Sequence, residues 1–174
     1  MESRIKGSIQ EELDYAKNEW SSLYALMYYH LAKEFKGLGE DGEKALRRGI
    51  RNYGKARGVR LRKRHESLGL PNTMKTLFTN YDLPGDTISK RKQVKLTNDD
   101  RESHTFVCNL EKIWVLEGGE DGDYLGSIYC DEFHQAMWRA YRDGTIVELP
   151  ELLTKGDPHC HFIVYKKHDY ISRK

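Results

Sequence analysis

Apolar residues at Ile9, Leu13, Ala16, Trp20, Leu23, Met27, Leu31 and Phe35 recur at intervals of three and four, the repeat that places side chains on one face of an α-helix. The spacing predicts a long helix over 9–36 with that stripe packed inward. Ser8-Ile-Gln-Glu11 reads as the capping box that opens it, and Gly37-Leu-Gly39 ends it. A second helix is expected from about Asp41, carrying Leu46, Ile50, Tyr53, Leu61 and Leu68 inward and closing at Gly69-Leu-Pro71. Within it, Gly54-Lys-Ala-Arg-Gly58 sets two glycines one turn apart. Each costs about 1 kcal/mol relative to Ala inside a helix, which suits close approach of another helix or a ligand. A short third helix is expected over 73–81, ended by Asp82-Leu-Pro84-Gly85.

Beyond residue 88 the period shortens. Segments 91–96 and 104–107 carry alternating or β-branched residues and read as strands. Gly118-Gly-Glu-Asp-Gly122 reads as a turn, and Phe133, Met137 and Ala140/Tyr141 mark a helix over 131–141. Strands follow at 145–147 and 161–165, with Thr154-Lys-Gly-Asp-Pro158 between them. Helices first, then a mainly antiparallel sheet with one or two further helices, define an α+β fold. The 174 residues fit one domain. It is read as a mostly helical layer over 1–88 and an α+β layer over 89–170 that carries the candidate site.

Charge changes the picture more than composition does. The formal net charge is only +2, yet ten basic residues and no acid lie between Lys44 and Arg64, which leaves −8 for the remainder. Segment 111–151 alone holds ten acids against three bases. A basic stripe of this kind can bind nucleic acid, but only Tyr53 interrupts it and no helix-turn-helix or zinc-finger pattern accompanies it. Pairing with the acidic half, or anchoring a small anion, is the expectation. Arg57 and Arg60 flank Gly58 and are expected to point inward. The most apolar window, 20–31, contains Ser21, Ser22 and His30, so no membrane span is expected. The N-terminal residues lack the apolar run of a signal peptide, and three cysteines suggest reduced thiols in a cytoplasmic protein.

No GxSxG, HExxH, P-loop or CxxC signature is present. The chemistry-bearing residues left are Cys108 at an expected strand end, Cys130 at an expected helix start with His134 one turn on, and Cys160 between His159 and His161. A helix N-terminus stabilises a thiolate, and an imidazole can take its proton. In an alternating strand, however, Cys160 points away from His159 and His161. The same thiols with His134 are also a candidate ligand set for one zinc or iron ion. Asp157 in Gly156-Asp-Pro-His reads as a turn former or an orienting carboxylate. Asp131, at the expected helix start, compensates the dipole or reaches a substrate.

Four segments then combine: Arg51-Asn-Tyr-Gly-Lys-Ala-Arg-Gly-Val-Arg60, Phe106-Val-Cys108, Leu125-Gly-Ser-Ile-Tyr-Cys130-Asp-Glu, and Leu153-Thr-Lys-Gly-Asp-Pro-His-Cys160-His-Phe162. Together they resemble the L-2-amino-thiazoline-4-carboxylic acid hydrolase family over roughly residues 40–166. The resemblance implies hydrolysis of a small anionic heterocycle holding nitrogen and sulfur. It also implies a distant fold kinship with 4-vinyl-reductase and transport-particle ligand domains. Under it, Cys160 or Cys130 is the nucleophile with Cys108 nearby, His161 or His134 the acid/base, Asp157 an orienting carboxylate, and Arg57 or Arg60 the clamp for the substrate carboxylate. The covalent scheme needs no cofactor; the metal scheme has a thiolate-bound ion deliver hydroxide. A non-catalytic small-molecule or metal-binding sensor with the same pocket is the alternative. The expected partners are the small substrate and a second copy of the chain, with no membrane and no nucleic acid.

Overall fold

The computed structural model describes residues 8–82 and 89–167. The elements in order are α1 (Ile9–Gly37), α2 (Gly39–Ser67), α3 (Met74–Thr79), β1 (Ser89–Leu96), β2 (Arg101–Cys108), α4 (Asn109–Gly118), α5 (Glu120–Tyr141), β3 (Thr145–Glu151), a 3-10 turn at Leu153–Lys155 and β4 (Cys160–Lys166). The strands form one sheet in the order β1-β2-β4-β3, antiparallel at every pairing. This is an α+β fold with two long N-terminal helices, as the patterning implies.

The capping box forms as read: the Glu11 amide donates to Ser8 Oγ at 3.3 Å, and the Ser8 amide donates to the Glu11 carboxylate at 2.6 Å. The period of α1 is also right, but its phase is reversed. Trp20, Leu23, Met27 and Leu31 are each more than half exposed, and Ile9, Leu13 and Phe35 also face outward. The buried line is Ser21, Ala25, Tyr28, Tyr29 and Ala32. Small residues there let α1 approach α4 closely enough for Trp114 Nε1 to donate to the Ala25 carbonyl at 3.0 Å and Asn109 to donate to Ser21 Oγ at 2.6 Å. The Tyr28 hydroxyl donates to the Leu125 carbonyl at 2.7 Å, which satisfies the polar end of a buried ring.

α2 packs on α5 through its glycines. A Cβ on Gly54 would sit 2.8 Å from the Phe133 carbonyl oxygen, and one on Gly58 would sit closer still to that of Met137. The helix crossing therefore requires both positions to lack a side chain. Leu46 and Leu61 are buried as expected, whereas Leu68 is exposed. His65 is buried between α3 and α5. A carbonyl can only accept, so Nε2–H donates to the Asn80 carbonyl at 2.9 Å and Nδ1 accepts from the Tyr141 hydroxyl at 2.9 Å.

Two elements differ from the expectation. Helix α4 was not foreseen, and α5 starts at Glu120 instead of near Asp131. The glycine-rich 118–122 segment is a joint between two helices, turned at Gly119 with φ +54°. The basic run pairs in part with the acidic half: Arg47 and Arg51 meet Glu132 at 3.6 and 2.8 Å. No helix among the described residues is long and apolar enough to cross a membrane.

Candidate functional site

Strand alternation and helix periodicity converge on one cavity of about 260 Å³ between α5 and the inner face of the sheet. Along β2, Arg101, Ser103 and Thr105 turn inward; along β4, Cys160, Phe162 and Val164 do so. α5 contributes Tyr129, Cys130, Phe133, His134 and Trp138, and Cys108 sits where β2 passes into α4. All three cysteines line this space. Thr105 is the register partner of Cys160, so the strand that ends in Cys108 runs beside the one that begins with Cys160.

The three thiols differ in environment. Burial and the neighbouring Cys160 and Cys108 push Cys130 well above the ordinary thiol range. It lies in the middle of α5, beyond reach of the helix N-terminal dipole. Burial pushes Cys160 to about 12, opposed by an amide donated from Leu153 at 3.4 Å. Burial also raises Cys108, but it is the cap residue of α4 and the amides of Glu111 and Leu110 pull its pKa down. Cys108 is only partly buried; its net shift is still upward, and of the three it is the one at a helix start, where backbone amides oppose the rise. Glu111, also on the cavity wall, has its own pKa raised by burial and by Asp123.

The other end of the cavity is cationic. Arg101 is 2% exposed, its guanidinium 4.0 Å above the Phe78 ring and 5.9 Å from Phe162. Among the described residues its Nε has no hydrogen-bond partner and no carboxylate pairs with it. Desolvation, with the nearby Arg91 charge, draws its pKa down to about 9. His134 lies between the two ends, its ring 5.0 Å from Phe162 and 5.0 Å from Trp138, with Nδ1 unpartnered. Burial, helped by Arg91, Arg101 and Arg57, lowers its pKa to about 3, so the imidazole is neutral. Arg101 is the register partner of Val164 and Thr105 that of Cys160, so the backbones at the cationic and thiol ends stand four residues, about 13 Å, apart along the sheet. The Arg101 guanidinium, 5.9 Å from the Phe162 ring, closes part of that interval, and His134 lies beside the path.

The model of the family described as L-2-amino-thiazoline-4-carboxylic acid hydrolase matches residues 18–164. The chain belongs to that family. No curated protein matches the sequence significantly. Among solved structures, the fold resembles a trafficking protein particle complex subunit 3 from Naegleria fowleri covalently bound to palmitic acid. That likeness has a TM-score of 0.53 and 16% identity, and covers 85% of this chain and 95% of that one.

Against this family assignment, the residues expected at the site divide. Cys108, Cys130, Cys160, His134 and Arg57 line the cavity together. Arg57 is already committed, with Nε and Nη2 donating to Asp82 at 2.9 and 2.6 Å. His161 does not join them: strand alternation turns it to the opposite face of the sheet, with Nε2 3.0 Å from Glu102. Asp157 accepts the Leu152 amide at 2.7 Å and is the turn former of its segment. Asp131 pairs with Lys155 at 2.9 Å outside the cavity, and Arg60 points to solvent. The ligand atoms of Cys108, Cys130, Cys160 and His134 do not gather as a metal site would require. Among the described residues the group that does is Glu102, His104 and His161.

For this member of the hydrolase family, sequence reasoning missed Arg101, Arg91 and Glu111. Arg101 carried a legible signal, since it opens a strand in which Ser103 and Thr105 share its face, but the basic run drew attention elsewhere. Glu111 required knowing that 109–118 is helical.

Proposed function

We propose that the cavity binds a small anionic cyclic amidine of the 2-amino-thiazoline-4-carboxylate type and opens its ring through a cysteine. The buried Arg101 guanidinium carries this reading. A buried charge with no carboxylate partner among the described residues costs several kcal/mol, and a substrate carboxylate supplies a counter-charge in the bidentate geometry arginine favours. A cavity of about 260 Å³ is at the small end of ligand sites, which fits a single five-membered ring with its carboxylate.

In this scheme Arg101 draws the anion into the cavity and Arg91, the β1 partner of Thr105, holds the carboxylate at the thiol end, while Nδ1 of His134 accepts an amidine N–H. Glu111 takes the Cys108 proton and the thiolate adds to the ring carbon between nitrogen and sulfur. Collapse of the tetrahedral adduct breaks the ring carbon–sulfur bond, and the sulfur leaves with the proton from Glu111. The enzyme then carries an S-linked isothiourea. Water, losing a proton to Glu111, adds to the same carbon and expels Cys108. One water is consumed and an N-carbamoyl cysteine is released. Cys130 and Cys160 shape the wall beside the reacting carbon.

Turnover of L-2-amino-thiazoline-4-carboxylate compared with 2-amino-thiazoline, which lacks the carboxylate, tests the assignment. The expected result is at least a 100-fold loss of kcat/KM for the truncated compound, about 2.7 kcal/mol of lost transition-state binding. Equal turnover of the two compounds would refute it. The raised thiol pKa values favour a second reading, a binding module in which the thiols stay protonated. It predicts saturable binding of the carboxylate compound with no product.

A further inference from the structure

The side of the sheet turned away from the cavity carries a second cluster. Along β2 and β4, Glu102, His104 and His161 alternate with the cavity residues Arg101, Thr105 and Cys160 and so share the outer face. His104 and His161 are direct register partners, their rings 4.4 Å apart and within 16° of parallel. His159, just before β4, brings a third imidazole 4.5 Å from His104. Two carboxylates border the group: Glu102 lies 3.0 Å from His161 Nε2, and Glu151 at the end of β3 lies 2.9 Å from His159 Nε2. The ligand atoms of Glu102, His104 and His161 lie within 4.8 Å of one another.

We infer that this outer-face cluster is a binding site for a divalent transition-metal ion, zinc foremost. The donor set is two imidazoles and a carboxylate, with His159 the next imidazole, its ring 4.5 Å from that of His104. Imidazole nitrogen and carboxylate oxygen suit zinc and, by intrinsic affinity, nickel and copper, and they disfavour magnesium and calcium. Zn–N bonds of about 2.0–2.1 Å require the ligand atoms to draw closer than their present spread. Side-chain rotation supplies this, because the backbone pairing of His104 with His161 is already in register. Lys92, the β1 partner of His104, is exposed and can leave its amine in solvent. A bound ion would tie β2 to β4 on the face behind Arg101 and Cys160.

The site is separate from the hydrolase chemistry, and its test does not read activity. Calorimetric titration of the full-length protein with zinc chloride is compared among wild type, His104→Gln, His161→Gln, and Cys108→Ser as a thiol control. Titration with cobalt chloride reports the donor type by its absorption. The expected result is one ion per chain, at least tenfold weaker binding in each histidine variant, and unchanged binding in Cys108→Ser. The cobalt spectrum should show nitrogen and oxygen donors without a thiolate charge-transfer band. Glutamine keeps the strand position filled, and circular dichroism establishes that the variants fold. Zinc binding unaffected by either histidine substitution, a thiolate band, or no binding at all overturns the inference.

Discussion

Replacing Arg101 by Met separates binding from folding. The guanidinium is 2% exposed, with an unpartnered Nε and a pKa drawn from 12.5 to about 9. At about 1.4 kcal/mol per pH unit, that displacement corresponds to roughly 5 kcal/mol of electrostatic penalty in the ligand-free protein. The Phe78 face at 4.0 Å returns on the order of 1–2 kcal/mol as a cation–π contact, and Met restores most of the packed volume. Arg101→Met should therefore make the empty protein more stable by about 3–4 kcal/mol. At about 2–4 °C per kcal/mol for a chain of this size, the melting temperature should rise by several degrees. The same variant should lose at least 100-fold in kcat/KM for a carboxylate substrate. Differential scanning calorimetry without ligand and steady-state kinetics give the two readouts. A variant that melts lower and retains substrate affinity would refute the reasoning, because Arg101 would then be a structural group with a satisfied environment.

Other consequences follow from the same geometry. Cys108→Ser should reduce kcat by 100-fold or more with little change in melting temperature, while Cys130→Ser, which places a hydroxyl in a fully packed helix position, should cost about 1–3 kcal/mol of stability, read by urea unfolding. His134 stays neutral in the folded state down to about pH 3, whereas in the unfolded chain it takes a proton near 6.5. The unfolded state therefore binds more protons, and this residue's contribution is present above pH 6.5. It is lost at up to about 1.4 kcal/mol per pH unit as pH falls toward 3, so His134→Gln should flatten the acid limb of a stability–pH profile. Gly58→Ala, which drives a methyl into the Met137 carbonyl, should destabilise by about 3 kcal/mol and shift the urea midpoint. Leu31→Glu, on the outward stripe of α1 at 54% exposure, should alter unfolding free energy by no more than about 0.5 kcal/mol; a loss of several kcal/mol would mean that the stripe is packed.

Much of the fold was legible because local rules and tertiary packing agree there. The Ser8 capping box, the glycine pair of α2 and the alternation in β2 and β4 each have one physical solution. In α1 they disagree: Trp20, Leu23, Met27 and Leu31 form the stronger apolar stripe, but α4 needs a face it can approach closely, and Ser21, Ala25 and Ala32 provide it. Hydrophobicity alone cannot foresee that phase. Segment 109–118 carries too few periodic positions to announce a helix, and without it Cys108 has no visible helix cap. The convergence of the three cysteines was readable from their spacing and the family resemblance. For His161 the alternation rule already set it on the face opposite Cys160, and the structure follows that rule against the acid/base role the family resemblance implied. Arg101 was overlooked because a single arginine in a chain with 29 Lys and Arg becomes distinctive only when its burial and the absence of a carboxylate partner among the described residues are visible.

The central claim is that a cavity cysteine opens the ring of a small anionic amidine held by Arg101. Intact-protein mass spectrometry after rapid acid quench with L-2-amino-thiazoline-4-carboxylate tests it most directly. Ring opening loses no atoms, so the account predicts a transient species heavier than the protein by one whole substrate, mapped to Cys108 and absent in Cys108→Ser. Product formation with no adduct at any quench time, together with undiminished turnover in Cys108→Ser, would contradict it.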